Sequence, residues 1–408
     1  MTNKTISKLL VITLFSIVTS CNFSNKFVIR KNTIKNQKNL ICENYETALA
    51  ILQPNSYKQN SEIDSLDKWE FINLINAIKN QNLTEANEIA KKTKMIKSDT
   101  LFNIKNSIIQ TLGVYSYLVS LKRKYNETMT LPNIVQTDTN YIELPFKFIN
   151  NRIYLTIIID GIEFNMFLDS GYPNTILTKC YTLLDKRKVY TINTNNSIID
   201  ASGITKMQTD EKYIKTEYLL GNLQVEGHVV EVNEVSESDK LKYDGVIGWD
   251  IISQLDMVFN FKTNTLNLRK SMIKHFSKKC NMFWCLIPMI ETYDCDGFVM
   301  TIGIDFGCNV TTLSKWYFDK RGVVPNIIKS RVGETLSRFG SGSNKYFMSD
   351  NICININSND FMFENIIFQE RFPFMNNITI DGLIGTDLFQ NNILHFDYQN
   401  SIFEINPN

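Results

Sequence analysis

The sequence predicts a mainly β fold with two similar lobes, preceded by a small α-helical region. Three observations lead to this prediction. From Tyr141 onward, β-branched and aromatic residues alternate with polar ones and are interrupted by Asp-Gly and Asn pairs, which is typical of strands and hairpins. Within that part, a set of short motifs occurs twice at a nearly constant offset. Between Cys42 and about Tyr125, apolar residues instead recur three and four positions apart, which indicates helices.

The start of the chain has the features of a targeting segment. Lys4 and Lys8 give it a positive charge, and an apolar run over residues 9–18 follows that is too short to span a bilayer. Residues 18–21 resemble a bacterial lipobox, in which cleavage leaves a lipidated cysteine, here Cys21, as the first residue. The alternative is ordinary secretion with an incidental cysteine. The lipobox interpretation implies a bacterial lipoprotein, exported and membrane-anchored on the periplasmic or cell-surface side.

Composition limits the classes of partner. The chain has 43 basic and 42 acidic residues and no long run of like charges, so a nucleic acid partner is not indicated. Of the eight cysteines, seven follow Cys21, and an odd number leaves at least one thiol unpaired. Cys280, Cys285 and Cys295 lack the paired spacing of a zinc site. We therefore expect no metal and no cofactor.

These patterns divide the chain into five segments. They are a signal peptide at 1–20, a polar tether at 21–39, a helical region at 40–130, a first lobe at 139–270 and a second lobe at 280–406.

The internal repeat is the strongest observation. Each copy contains an Asp-Gly turn, an Asp-X-Gly triplet after an apolar strand, and an Asp-Gly pair followed by two apolar residues, Gly, one residue and Asp. These motifs lie at 160–161, 169–171 and 244–250 in the first copy, and at 296–297, 305–307 and 381–387 in the second. The offset is 136 residues for the first two motifs and 137 for the third. Two copies of one β-rich unit are therefore expected.

The repeated motifs resemble the lobe signature of pepsin-like and retropepsin-like aspartic peptidases. That signature is an apolar strand ending in Asp-Ser/Thr-Gly, followed later by two apolar residues and Gly. Here it corresponds to 167–171 with 246–248 and to 303–307 with 383–385. The resemblance covers about residues 141–406. It implies a pair of duplicated, pepsin-like acid-protease barrels.

The resemblance also implies an activity and its residues. Asp169 and Asp305 would be paired carboxylates that share one proton, because two carboxylates in contact cannot both ionise. The ionised member would take a proton from water and the protonated member would polarise the peptide carbonyl. Ser170, Gly171 and Gly307 would support the two loops. The expected protein is thus a monomeric, membrane-anchored aspartic endopeptidase with a polypeptide substrate.

Three residues depart from the family pattern. Phe306 stands where the family has Ser or Thr, whose hydroxyl helps to join the two loops, and Tyr172 and Cys308 occupy positions that are usually small or hydroxylic. The alternative function is therefore a catalytically inactive lipoprotein of the same fold that binds extended peptides between its lobes.

The remaining expectations concern supporting residues. Asp250 and Asp387 are interpreted as helix N-caps, and Asp244 and Asp381 as turn residues. Turn signals at 200–203 and 340–343 predict one hairpin in each lobe, either of which could be a flap that closes over a substrate.

Overall fold

The computed structural model describes two short segments near the start of the chain and most of it from residue 132 onward. The described ranges are 17–19, 26–31, 132–172, 174–178, 189–199, 205–232, 243–272, 282–285, 287–337, 340–350, 352–357, 359–370, 372, 380–400 and 402–407. Strands predominate in them and form two six-stranded barrels. The prediction of a mainly β, two-lobed fold is therefore confirmed. Cys21 and the predicted helical region at 40–130 lie outside the described residues.

Two strands precede the lobes, and twelve belong to lobe 1. The first two are β1 (Ile17–Thr19) and β2 (Lys26–Lys31). Those of lobe 1 are β3 (Asn133–Val135), β4 (Ile142–Pro145), β5 (Lys147–Phe148), β6 (Ile153–Ile159), β7 (Ile162–Leu168), β8 (Ile176–Leu177), β9 (Val189–Ile199), β10 (Thr205–Leu220), β11 (Leu223–Val232), β12 (Gly245–Ile247), β13 (Leu255–Asn260) and β14 (Thr265–Lys270). A short helix α1 (Trp249–Ile252) follows β12.

Lobe 2 repeats this order. Its strands are β15 (Met282–Cys285), β16 (Ile287–Asp294), β17 (Val299–Ile304), β18 (Thr312–Ser314), β19 (Ile327–Ser337), β20 (Gly340–Ser349), β21 (Ile352–Ile356), β22 (Asn359–Gln369), β23 (Gly382–Ile384), β24 (Asn392–Asp397) and β25 (Ile402–Pro407). Helix α2 (Lys315–Arg321) follows β18, and a 3-10 helix (Thr386–Phe389) takes the place of α1.

The same strand arrangement surrounds the central motif of each lobe. In lobe 1, β6 and β7 form a hairpin whose turn residues, Asp160 and Gly161, both have positive φ (51° and 80°), as a two-residue hairpin turn requires. β7 then pairs in parallel with β12, and β12 pairs antiparallel with β8. In lobe 2, β17 pairs in parallel with β23, which pairs antiparallel with β18. Each barrel thus presents the end of its central strand at an equivalent place.

A shared sheet joins the two lobes. Its five strands run in the order β25-β24-β13-β14-β4, so that lobe 1 and lobe 2 meet at the antiparallel pair β13–β24. A single apolar core extends across this junction, where Trp249 and Phe259 of lobe 1 and Phe396 of lobe 2 are all buried. The lobes are therefore held by backbone hydrogen bonds as well as by apolar burial.

The segment before the lobes contributes strands to lobe 2. β2, which lies within the predicted tether, pairs antiparallel with β22, and β1, which lies within the predicted signal peptide, pairs with β19. The edge of β22 that β2 occupies corresponds to the edge of β11 in lobe 1 that β3 occupies. Among the described residues, no helix is long and apolar enough to cross a membrane.

Candidate active site

The two repeated aspartates follow the central strand of each lobe. Asp169 comes directly after β7 and its backbone N–H donates to the Ile247 carbonyl at 3.0 Å, while the Asp305 N–H donates to the Ile384 carbonyl at 3.0 Å. The parallel pairing of β7 with β12, and of β17 with β23, therefore fixes where each carboxylate leaves its strand. Both aspartates are buried, with 0% of Asp169 and 1% of Asp305 exposed to solvent.

The glycines of the two triplets approach the carboxylates closely. Gly171 and Gly307 each donate a backbone hydrogen bond of 2.8 Å to Oδ1 of the aspartate two residues earlier, Asp169 and Asp305 respectively. A Cβ placed on Gly171 would lie 3.0 Å from Asp305 Oδ1 and 3.1 Å from Asp169 Oδ1. A Cβ on Gly307 would lie 2.5 Å from Asp169 Oδ2. Each loop thus packs against the carboxylate of the other lobe, which leaves room only for glycine at Gly307.

The carboxyl groups of Asp169 and Asp305 form one electrostatic unit. Burial, then the charge of Asp305 and the hydrogen-bonding contact with its carboxyl group, raise the pKa of Asp169 well above its usual range, although the Gly171 N–H opposes this. Asp169 Oδ2 is buried and accepts no hydrogen bond from the described part of the chain. This pair can therefore share a proton and still offer an oxygen to a water molecule or a substrate.

Ser170 links the two loops. Its hydroxyl donates to the Ile304 carbonyl and accepts from the Phe306 N–H, each at 2.9 Å. The side chain is buried, so the two bonds are protected from water. One hydroxyl thus holds the backbone of lobe 2 on both sides of Asp305.

Phe306 supports its loop by packing instead of hydrogen bonding. The ring is fully buried and makes edge-to-face contacts with Phe396 at 5.1 Å, Phe389 at 5.8 Å and Phe259 at 6.2 Å between ring centroids. Phe259 belongs to lobe 1, so this cluster also crosses between the lobes. Phe306 lacks the hydroxyl that the family pattern has at this position, but its ring makes apolar contacts with both lobes.

Tyr172 and Cys308 are both buried. The Tyr172 hydroxyl donates to Glu231 Oε2 at 3.2 Å, and its ring belongs to a buried cluster with Phe167. The Cys308 thiol donates to the Val310 carbonyl, and burial raises its pKa far above the usual range. Burial as a neutral thiol makes Cys308 an inert packing group.

The N-cap interpretation of Asp250 and Asp387 is wrong. The caps are Gly248 and Gly385, and each aspartate lies inside the first turn of its helix. Asp250 accepts hydrogen bonds from the backbone N–H and hydroxyl of Thr175, at 2.9 and 2.8 Å, and Asp387 receives the same pair from Thr311, at 2.8 and 2.6 Å. These carboxylates therefore brace the loop that follows each Asp-X-Gly triplet, through a threonine distant from them in sequence.

Asp244 and Asp381 were interpreted as turn residues, but their carboxylates do more than shape a turn. They bind the backbone of the central strand in each lobe. Asp244 Oδ2 accepts from the Asn165 N–H at 2.8 Å, and Asp381 Oδ2 accepts from the Thr301 N–H at 2.7 Å. Asp381 additionally pairs with Lys320 of α2 at 2.8 Å.

Each lobe carries the predicted hairpin, but residues 340–343 do not form the turn of the second one. β9 pairs with β10 in lobe 1, and their connection at 200–204, which includes the predicted turn, lies outside the described residues. In lobe 2, β19 pairs with β20 up to Ser337 and Gly340, so residues 340–343 belong to β20, and residues 338–339 between the two strands lie outside the described part of the chain. The Gly-Ser pattern is typical of turns, but here these residues pair as a strand.

Three cysteines of the described part of the chain are assigned a state. Cys295 and Cys353 form a disulfide between the β16–β17 turn and β21. Together with Asp360 they are the one described group with metal-ligand spacing, but disulfide sulfurs are not thiolate ligands. Cys308 is a free thiol.

Sequence reasoning missed the threonines and His228. Thr175 and Thr311 each lie six residues after a repeated aspartate, so the offset of 136 contained the signal for them. His228 is buried on β11, where its Nε2 lies 2.8 Å from Asp250 Oδ2 and its Nδ1 lies 3.0 Å from the Tyr218 hydroxyl. No spacing in the sequence relates His228 to Asp250.

No protein-family model matches this chain, and no curated protein is detectably similar to it. The geometry of the site and the internal repeat are therefore the features of this chain that point to a function.

Proposed function

We propose that this protein is a membrane-anchored aspartic endopeptidase of pepsin-like fold, in which Asp169 and Asp305 activate water for peptide hydrolysis. The observation that supports it most is the meeting of two equivalent loops, one from each lobe, with their carboxyl groups in contact and a glycine N–H on each. Neither a metal nor a cofactor is part of this mechanism.

The shared proton determines the roles. The carboxylate of the pair takes a proton from water as it attacks the peptide carbonyl, and the protonated member donates a hydrogen bond to the carbonyl oxygen. Asp169 Oδ2 has unused acceptor capacity within the described structure, which suits it to hold that water. Since the attack creates no covalent bond to the protein, the backbone N–H groups of Gly171 and Gly307 need only hold the carboxyl groups in place.

The departures from the family pattern are compatible with this activity. Ser170 still joins the two loops through its hydroxyl, and Phe306, Tyr172 and Cys308 are buried. The alternative, a peptide-binding protein without hydrolysis, needs the same fold and the same contacts but not a shared proton.

Cellular location is part of the proposal. Lipidation at Cys21 would hold the protein on a membrane, with the lobes in an exported compartment. The Cys295–Cys353 disulfide supports this, since such bonds persist in oxidising compartments.

Peptide cleavage by the full-length chain, purified in detergent, tests the activity. We expect Asp169→Asn and Asp305→Asn each to lower kcat/KM about 10²-fold to 10⁴-fold or more, as expected for loss of a general acid or base. Asp160→Asn is the matched control, because it removes one exposed carboxylate from a turn that accepts Asn equally well. Cleavage that persists in both dyad variants would refute the mechanism. A folded wild-type protein that binds peptides but cleaves none would support the binding alternative.

The pH dependence follows from the raised pKa of Asp169. Its protonated form persists below the raised pKa and is lost above it, so we expect activity at acidic pH that declines as pH rises through that value. The unfolded chain has an ordinary aspartate, so the contribution of Asp169 to stability should also be greatest at low pH and decline in the same window. Rates and thermal unfolding from about pH 3 to 8 measure both, and activity that only increases toward alkaline pH would contradict the assignment.

A further inference from the structure

Arg152 is a buried cation close to the candidate active site. It immediately precedes β6, and 3% of the residue is exposed. Its Nε and Nη2 atoms have no hydrogen-bond partner among the described residues. Burying a charge without a partner is costly, so a site that retains one in this state is suited to receive a counterion.

The groups around Arg152 do not supply that counterion. Its titratable neighbours are Tyr154, Cys308 and Tyr243, which are all uncharged near neutral pH, and burial lowers the pKa of the guanidinium. None of these three groups is a carboxylate. The aromatic side chains instead form an apolar wall beside a group that has five N–H donors.

The position of Arg152 places it beside the dyad. Asn151, its neighbour in the chain, donates through Nδ2 to the Asn309 carbonyl of lobe 2 at 3.2 Å and accepts from the Thr386 hydroxyl. Cys308, which lies next to Asn309, is close enough to sense the charges of Arg152 and of both catalytic aspartates. Arg152 and the dyad therefore share Cys308 as a neighbour.

Asn309 adds a second unused polar group at this place. Its Oδ1 is buried and has no partner among the described residues. Asn151 and Asn309 are themselves only partly buried, so solvent reaches this place. The Asn309 oxygen can only accept a hydrogen bond, so a planar anionic group here would be bound by the guanidinium N–H groups and by Asn309 Nδ2.

We propose that Arg152, together with Asn309, forms a carboxylate-binding subsite, so that the enzyme selects peptides with an acidic group close to the scissile bond. The inference rests on the proposed function, because it places the bound peptide across the dyad. The anionic group is either an Asp or Glu side chain or the C-terminal carboxylate of a short product-like peptide. In both cases the guanidinium binds the two oxygens as a pair, in surroundings that exclude water and strengthen the attraction.

Matched peptides test the preference. Internally quenched peptides would differ only by Glu against Gln, Asp against Asn, or a free C-terminus against an amide, at each position around the cleaved bond. For the full-length wild-type chain we expect the acidic member of one pair to have a kcat/KM about tenfold to a hundredfold higher, as for a hydrogen bond to a charged group. The position of the effect distinguishes a side chain from a C-terminus.

Two variants alter the subsite in different ways. Arg152→Met keeps the length and the apolar stem but removes the charge, so the acidic-to-neutral ratio should fall to about one. Asn309→Asp supplies a carboxylate from the protein itself, which competes for Arg152 and should also reduce the ratio. Lys147→Met removes an exposed cation from the adjacent strand β5 and should leave the ratio unchanged. If Arg152→Met does not fold by circular dichroism, Asn309→Asp still decides.

Binding separates this inference from the proposed function. Fluorescence anisotropy with the same labelled peptides, on the Asp305→Asn variant with and without Arg152→Met, does not require cleavage. Absence of cleavage together with an Arg152-dependent preference for acidic peptides in binding would overturn the peptidase and uphold the subsite. Equal binding and equal cleavage of acidic and neutral peptides, or no peptide binding at all, would overturn the subsite.

Discussion

The two lobes share one backbone framework but hold their aspartate loops by different chemistry. In both, a parallel strand pair positions the aspartate and a carboxylate–threonine contact braces the following loop. The positions that differ are Ser170, Tyr172 and Glu231 in lobe 1, matched at an offset of 136 by Phe306, Cys308 and Ile367 in lobe 2. The first set forms hydrogen bonds and the second packs as apolar core.

The same contrast extends to β11 and β22. His228 of β11 is buried between Asp250 and Tyr218, whereas Glu364, at the matching position of β22, is exposed. Lobe 1 is thus supported by a buried polar network and lobe 2 by aromatic packing. Strand pairing and glycine contacts therefore define the site in both lobes, while the residues that support each loop from behind can differ.

Removing the aromatic support of lobe 2 should have the largest effect on stability. Phe306→Ala deletes the ring that contacts Phe259, Phe389 and Phe396, and we expect a loss of about 3–5 kcal/mol in the free energy of unfolding. Ser170→Ala leaves two buried backbone groups without their partner and should cost about 1–3 kcal/mol. Urea unfolding of both variants measures the difference, and a larger loss for Ser170→Ala would reverse the contrast between the lobes.

The two glycines should differ in how strictly they are required. The methyl group of Gly307→Ala would meet the Asp169 carboxylate at 2.5 Å, so we expect kcat to fall about 100-fold or more, as displacement of a reacting group does. Gly171→Ala places its methyl group 3.0 Å from Asp305 Oδ1, where a small shift suffices, and should cost less than about tenfold. Single-turnover kinetics on both variants measure this, and equal losses would show that the loops are equally tight.

The buried network of lobe 1 should contribute the smallest of the three effects. His228→Phe keeps an aromatic ring but removes the two ring nitrogens that contact Asp250 and the Tyr218 hydroxyl. We expect the free energy of unfolding to fall by about 1–3 kcal/mol. The matched change in lobe 2, Glu364→Gln, alters an exposed side chain and should stay within about 0.5 kcal/mol. Thermal unfolding of the pair measures the contrast, and it would be lost if both variants behaved alike.

The repeat made the framework predictable from the sequence. Asp169, Asp305 and their glycines stand out because matching residues recur at one offset, and the alternation of apolar residues predicted the surrounding strands. The supporting contacts were not predictable in this way. Asp250 was misassigned because an aspartate at a helix start usually caps it, whereas here strand packing brings Thr175 within hydrogen-bonding distance.

Residues that depend on the meeting of the two lobes were also hidden from the sequence. In the sequence, Arg152 is an ordinary cation just before a predicted strand. Its burial near Cys308 of lobe 2, with two nitrogens unpartnered among the described residues, emerges only from the fold. Phe306 likewise reads as a lost hydroxyl, and its role becomes clear only from the rings of both lobes that surround it.

The sheet shared by the lobes has a consequence for how the protein unfolds. β13 and β24 pair over five residues, from Asp256 with Asp397 to Asn260 with Ile393, and Asp256 also pairs with His395 across this boundary at 2.9 Å. Neither lobe can separate without breaking this pairing and exposing the core beneath it. Melting should therefore be a single cooperative transition, in which a chain with one folded lobe is scarcely populated. A half-assembled dyad, with one aspartate loop formed and the other not, would then be rare at equilibrium.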